Sequence, residues 1–395
     1  MIAADQIIYL DNNATTQLDP AVIEEMLPFL TTYYGNPSSG YGFGSQVRDA
    51  IELARARVAA LLGCVPGEIV FTSCGTESNN TAINSALQFD PKGQHIVTTA
   101  VEHSATYRHC EHLAKRGCTV TFVQVDSDGN LDLKELERAV RPETAIISAM
   151  WANNETGVLF PVEKIAEIAR RRRVLFHTDA VQAVGKVPIR LSDSVINFSS
   201  ISGHKLHGPK GVGALYINRR SAFQPTLIGG NQENSRRAGT ENVASIVGLG
   251  KAAERAATAL EEEQTRVRRM RDRFENTILG KVAGVFVNGA RAPRLPNTSS
   301  MSFAGVESEA ALILLDKHRL CCSAGSACRS GSLEPSHVLR AMKLAEEWTR
   351  GSLRFSFGRF NTEADVDQAL EIVPKVIAKL QAVSPGLRVR ESAPA

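Results

Sequence analysis

Long apolar runs, paired cysteines and a surplus of either charge are missing from this chain of 395 residues. No stretch approaches the roughly 20 apolar residues that cross a bilayer. The opening Met1-Ile2-Ala3-Ala4-Asp5-Gln6 has no basic segment leading into an apolar one, so neither an anchor nor a signal peptide is expected. The seven cysteines are odd in number and scattered, which argues against a disulfide framework and for the reducing cytoplasm. None are spaced as CxxC, and Cys321, Cys322 and Cys328 cluster without zinc-site spacing, so no metal is expected. His109-Cys110-Glu111-His112 falls inside an amphipathic helical stretch and reads as a solvated helix face. Lys and Arg number 45 against 42 Asp and Glu, a net charge of +3. That is too little to argue for nucleic acid or an anionic membrane as partner. Even the run Arg170-Arg171-Arg172-Arg173 closes a helical pattern, where cations complement the C-terminal dipole.

What is present is the composition of a globular protein, 43% hydrophobic and 22% charged. The length exceeds one simple core and implies two domains, or one large domain with an appendage. Strand and helix patterns alternate. Strands are predicted at 68–72, 96–99, 119–125, 144–150 and 174–177, with helices at about 75–87, 103–116, 133–140 and 162–173 and another starting near Ala180. Such alternation predicts a parallel sheet covered on both faces, with ligands at the carboxyl ends of its strands. The residues just past those ends are small, polar or titratable: Ser73 to Thr76, Glu102-His103, Asn153-Asn154-Glu155, Asp179 to Gln182 and Ser202 to Lys205. Gly75 and Thr76 open a helix, whose unpaired N–H groups suit a phosphate. An ordinary cap by Ser73 or Thr76 is the competing account. Lys205 sits in a glycine-rich turn between strand-like runs at 195–198 and 212–217. It is a candidate reactive amine, against the plainer account of a solvated loop lysine. A charged helical stretch at 261–279 leads into a mixed region. Strands are predicted there at 285–287, 298–303 and 352–357, and helices at 307–317, 335–342 and 363–380.

Seven blocks carry a resemblance to a known family. They are Leu10-Asp11-Asn12-Asn13-Ala14-Thr15-Thr16, Phe71-Thr72-Ser73-Cys74-Gly75-Thr76-Glu77-Ser78, Met150-Trp151-Ala152-Asn153-Asn154-Glu155-Thr156-Gly157 and His177-Thr178-Asp179-Ala180-Val181-Gln182. Further along come Gly203-His204-Lys205-Leu206-His207-Gly208-Pro209-Lys210-Gly211, Arg237-Ala238-Gly239-Thr240-Glu241-Asn242, and Gly325-Ser326-Ala327-Cys328-Arg329-Ser330-Gly331-Ser332-Leu333-Glu334-Pro335-Ser336-His337. In this order they closely resemble the NifS/IscS-type cysteine desulfurases, fold-type-I pyridoxal-phosphate enzymes of the class V aminotransferase family. Several blocks look most like the NifS branch, which serves nitrogenase cluster assembly.

The resemblance implies an α/β fold. Its large domain, residues 16–260, would hold a mostly parallel seven-stranded sheet between helices, and residues 1–15 with 261–395 would form a smaller α+β domain. It implies that Lys205 holds the pyridoxal 5'-phosphate aldehyde and that Asp179 pairs with the pyridine nitrogen. His103 would stack on the ring and assist proton transfers. Asn154 and Gln182 would hydrogen-bond the substrate or the ring oxygen. Gly75, Thr76, Ser202 and His204 would bind the phosphate, with Thr240 reaching it from the neighbouring subunit of a homodimer. Arg354 would grip the carboxylate of L-cysteine, for which a bidentate guanidinium is suited. Cys328 would attack the substrate sulfur as a thiolate, become a persulfide, release L-alanine and pass sulfur to an iron–sulfur scaffold or another acceptor. The small residues around Cys328 suit a mobile loop, and Arg329 would support the thiolate. Without the family, Asp179 reads as a helix cap, His103 as a packed side chain and Arg354 as a surface ion pair. The competing functions are a pyridoxal-phosphate transaminase or lyase for another amino acid, which leaves Cys328 without a task, and a docking platform for cluster assembly.

Overall fold

The computed structural model describes residues 7–89, 93–324 and 336–383. Its strands are β1 (Ile8–Tyr9), β2 (Ile69–Thr72), β3 (His95–Thr99), β4 (Thr119–Val123), β5 (Thr144–Ser148), β6 (Leu175–Asp179), β7 (Phe198–Ser202), β8 (Gly213–Ile217), β9 (Val285–Val287), β10 (Thr298–Phe303), β11 (Leu320–Cys321), β12 (Ser323–Ala324) and β13 (Ser352–Ser356). The helices are α1 (Pro20–Thr31), α2 (Gly42–Leu62), α3 (Gly75–Phe89), α4 (Ser104–Ala114), α5 (Leu133–Ala139), α6 (Val162–Arg172), α7 (Val243–Glu262), α8 (Arg268–Lys281), α9 (Ser308–Lys317), α10 (His337–Ala341), α11 (Glu346–Arg350) and α12 (Glu363–Val383).

Seven strands form the main sheet, in the order β2-β8-β7-β6-β5-β3-β4. Strands β7, β6, β5, β3 and β4 run parallel, and β8 is antiparallel to both its neighbours. Every residue of β2, β3, β5, β7 and β8 is buried, as a sheet covered on both faces requires. Helix α2 ends at Gly63, which takes φ 61° with its N–H on the Ala59 and Ala60 carbonyls. Helix α7 lies so close to α2 that a Cβ on Gly250 would fall 2.5 Å from Ala54 Cα.

A second sheet, β12-β13-β10-β9, is antiparallel throughout. Its core of Phe274, Met301, Phe303, Phe355, Phe357 and Val373 is separate from that of the main sheet. The N-terminal β1 pairs in parallel with β11, Ile8 opposite Leu320, which ties the chain start to the C-terminal region. From there residues 11–14 cross to the main sheet: Asn13 donates through its amide to Thr298 Oγ1 at 2.8 Å and to the Asn154 carbonyl at 3.2 Å. Among the described residues no helix is long and apolar enough to cross a membrane.

Two local expectations fail. No helix begins at Ala180; the chain makes successive turns instead. Gly185 sits at φ 75°, where a Cβ would lie 2.8 Å from Leu206 Cδ2, so the chain must turn there rather than continue a helix. The strand before Lys205 is not 195–198 but Phe198–Ser202. Its serines read as loop, yet they pair inside the sheet, Ser200 Oγ with His177 Nε2 at 2.8 Å.

Candidate active site

At the carboxyl ends of the central strands lies a cavity of about 280 Å³. These strand ends build its wall: Gly75 and Thr76 after β2, His103 after β3, Asn154 after β5, Asp179 closing β6 and Gln182 after it, and Ser202 closing β7 with His204 and Lys205 after it. Arg354 arrives from β13 of the second sheet, and Asn13 and Ala14 from the N-terminal crossing. The cavity thus gathers all the sequence-derived candidates except two. Thr240 is exposed and lines a different concavity, with Arg237 and Gly239. Cys328 lies outside the described residues.

Lys205 Nζ donates to the Asn13 carbonyl at 2.5 Å and the Ala14 carbonyl at 2.7 Å. Asp179 is 7% exposed. Its carboxylate accepts from Asn79 Nδ2 at 2.6 Å and from the Val181 N–H at 3.0 Å. Both donors are neutral, and among the described residues no cation forms a salt bridge with this buried carboxylate. Asn79 Oδ1 is buried without a partner among the described residues.

Arg354 is not a surface ion pair. It is 2% exposed. Its Nη1 donates to the Asn154 carbonyl at 2.8 Å, and its Nη2 to Asp11 at 2.8 Å and Ser323 Oγ at 3.0 Å. Its Nε has no partner among the described residues.

His103 caps α4, its Nδ1 accepting the Ala105 N–H at 3.2 Å. That contact fixes the neutral ring in the tautomer protonated on Nε2. Burial, followed by the charges of Lys205 and Lys210, pulls His204 down to about 4, so its imidazole is neutral at pH 7. Beneath the site burial pushes the Glu102 carboxyl up to about 8 and the Glu155 carboxyl up to about 7.

The cavity fits pyridoxal phosphate. Gly75 opens α3 with no Cβ; one there would lie 2.8 Å from Val181 Cγ2. The phosphate end therefore has an open helix N-terminus beside Ser202 and His204. At the other end the unaccompanied Asp179 carboxylate suits a protonated pyridine nitrogen, and Lys205 stands within the same wall.

Two contributors escaped sequence reasoning. Asn79 follows Gly75 by four residues, one helical turn, so it shares the cavity face of α3, and that spacing was readable. Asn13 belongs to a quoted block, but its meeting with Lys205, Gln182 and Thr298 depends on the N-terminal crossing.

Residues 8–369 match the aminotransferase class-V family model. The chain belongs to this family of pyridoxal-phosphate-dependent enzymes. Within it, the chain is a cysteine desulfurase by descent. It is 53% identical over 379 residues to the cysteine desulfurase of Nostoc sp., covering 96% of this chain and 95% of that protein. It is 52% identical over 379 residues to the cysteine desulfurase NifS of Azotobacter vinelandii, covering 96% and 94%. Among solved structures, a NifS-like protein superimposes with a TM-score of 0.88 at 36% identity, over 94% of this chain and 100% of that one. A NifS-like protein from Rickettsia africae gives 0.85 at 32%, over 94% and 99%.

Proposed function

We propose that the protein converts L-cysteine to L-alanine and carries the released sulfur as a persulfide on Cys328, for delivery to an iron–sulfur scaffold or another acceptor. The observation that carries this reading is the shared wall of Lys205, Asp179 and Arg354, in which Arg354 keeps a buried Nε without a partner among the described residues. A carboxylate entering the cavity can take that donor and share Nη2. A related solved structure, SspA in complex with cysteine, supports the choice of substrate; it is 33% identical and has a TM-score of 0.79.

Bound pyridoxal phosphate supplies an electron sink that weakens the bonds at the substrate's α-carbon and, through it, the bond to sulfur. Lys205 would hold the cofactor's aldehyde carbon; its amine otherwise donates to the Asn13 and Ala14 carbonyls. Asp179 holds the ring nitrogen's proton. Ser202, neutral His204, Gly75 and Thr76 bind phosphate, and Asn154 and Gln182 orient substrate and ring. His103, with its proton on Nε2, exchanges protons with the reacting centre. The Cys328 thiolate attacks the substrate sulfur: the S–S bond forms, the Cβ–S bond breaks, and its electron pair stays with carbon, which a proton completes to the methyl of alanine.

The reading includes a homodimer in which Thr240 reaches the partner's phosphate site. Ile23, Leu27 and Leu30 are exposed on one face of α1, and Ile228 is 87% exposed, apolar surface of the kind that marks an interface. It also divides the chain into a large domain, 16–260, and a small one, 1–15 with 261–395. The separate cores of the two sheets support that division, although Val338, Leu339 and Met342 of the α10 region join the large core. A reducing cytoplasm suits a persulfide carrier. The relative named NifS supports service to nitrogenase clusters.

The test is Cys328→Ala in the holoenzyme. It retains the cofactor's visible absorbance, while alanine formation from cysteine and the sulfur-adducted mass of the wild-type peptide are both lost. Undiminished alanine formation in this variant overturns the assignment.

A further inference from the structure

Lys186 is a buried amine with no part in the chemistry above. It lies in the turns after β6 and is 6% exposed. Its Nζ donates to the Gln182 carbonyl at 3.1 Å and to Gln182 Oε1 at 3.4 Å. Gln182 lines the main cavity, and its Nε2 donates to the Asn13 carbonyl at 2.9 Å. That same carbonyl accepts from Lys205 Nζ. Behind this group lies a second, very small cavity of about 20 Å³, walled by Lys186, Lys205, His207, Glu263 and Arg359. Glu263 is buried there, its Oε2 without a partner among the described residues.

We propose that Lys186 is the positioning residue for the Gln182 amide, holding it so that one Gln182 N–H faces the ring oxygen of the cofactor. The inference rests on the reading that Gln182 touches the cofactor. An ammonium only donates, so the amide atom facing Lys186 must be the oxygen. A carbonyl only accepts, so the amide atom facing Asn13 must be the nitrogen. The reversed amide would set NH2 against an ammonium and oxygen against a carbonyl, two repulsions in a buried site. One N–H of Gln182 is spent on the Asn13 carbonyl, and the two N–H bonds of a planar amide diverge, so the second points away from Asn13. It belongs to the wall of the main cavity, where a ring oxygen carrying negative charge accepts it.

Burial pulls the Lys186 ammonium down to about 8, with nearby Glu263 opposing the shift, so at pH 7 the amine still carries the proton it donates. Arg359 is already engaged with Asp19 at 2.6 Å. His207, held well below its ordinary range by burial and then by Arg359, adds no positive charge to the wall.

The experiment compares the full chain as wild type, Lys186→Met, Lys186→Arg, Gln182→Ala and Lys186→Met/Gln182→Ala. Two quantities are read: the pH midpoint of the bound cofactor's visible band, and the dissociation constant of pyridoxal phosphate from apoprotein whose folding is checked by circular dichroism. Loss of one donor to a charged ring oxygen raises the midpoint by about one pH unit and weakens binding about tenfold. Gln182→Ala and Lys186→Met shift both quantities in that direction, the double variant equals Gln182→Ala alone, and Lys186→Arg, still a donor-only cation, keeps the wild-type midpoint. If Gln182→Ala shifts the band and Lys186→Met does not, or the two effects add, the role of Lys186 is overturned and the reading of Gln182 stands. If Gln182→Ala leaves the band in place, the reading of Gln182 falls and the inference falls with it. Should Lys186→Met not fold, Lys186→Arg decides: a midpoint displaced as far as in Gln182→Ala overturns the proposal.

Discussion

The buried Arg354 and the half-buried Asp11 form an ion pair at 2.8 Å, and the same guanidinium also holds Ser323 and the Asn154 carbonyl. Three structural contacts leave Nε over, so the arginine is already fixed in place before a substrate arrives. Such a pre-organised fork loses little freedom on binding a carboxylate.

Arg354→Lys keeps the charge but cannot reach Asn154, Asp11, Ser323 and a ligand together. The expected outcome is a KM for L-cysteine raised about tenfold or more, a smaller change in kcat, and an unchanged cofactor absorbance. Steady-state kinetics alongside the visible spectrum make the check. An unchanged KM removes Arg354 from the substrate site.

Asp179→Asn tests the carboxylate whose recorded partners are both neutral. Asn79 Oδ1 has no partner among the described residues, so turning its amide over can satisfy the new side chain's NH2, and the fold is expected to survive. Loss of the negative charge deprotonates the ring nitrogen and removes much of the electron sink. Desulfurase activity should drop by roughly 100-fold or more, with a thermal midpoint for the apoprotein close to wild type. Activity within a few-fold of wild type would falsify the pairing.

Much of this site was legible because it is assembled from strand ends. Alternating patterns placed β2, β3, β5 and β6 close to their true bounds, and at least one residue at or just past each end, Gly75, His103, Asn154 and Asp179 among them, reaches one cavity. Failures came where local pattern and long-range packing disagree. The serines of β7 read as loop because nothing local reveals that His177 satisfies Ser200 from the next strand. A helix at Ala180 fitted the composition, but Gly185 must turn against Leu206. Arg354 and Asn13 enter from the second sheet and the N-terminal crossing. Their places depend on pairings such as Ile8 with Leu320, more than 300 residues apart, which no local periodicity encodes.

Gly75→Ala tests the open helix end. The added Cβ meets Val181 Cγ2 at 2.8 Å, so either the side chain of Val181 or the start of α3 must shift where the phosphate binds. Pyridoxal phosphate should bind the apoprotein about tenfold more weakly, equivalent to about 1.4 kcal/mol, with inorganic phosphate competing less well. Equal affinity for both ligands in variant and wild type would show that this end of α3 lies away from the phosphate.

Glu102 gives a pH dependence with a defined sign. Burial above all, helped by the charge of Asp179, raises its folded pKa to about 8 against the donors Thr99 and Met150 N–H. Its Oε2 has no partner among the described residues, consistent with a neutral carboxyl. The folded chain then holds a proton that the unfolded chain releases near the ordinary carboxylate range. This group's contribution to stability is complete below that range and declines as pH rises toward 8. Glu102→Gln is neutral at every pH and keeps an oxygen for Thr99 and Met150. Relative to the variant, wild type should therefore lose stability between pH 5 and pH 8, by up to about 3 kcal/mol at pH 7. Urea unfolding of both apoproteins across that interval provides the measurement. Parallel stability profiles would place Glu102 among ordinary ionised carboxylates.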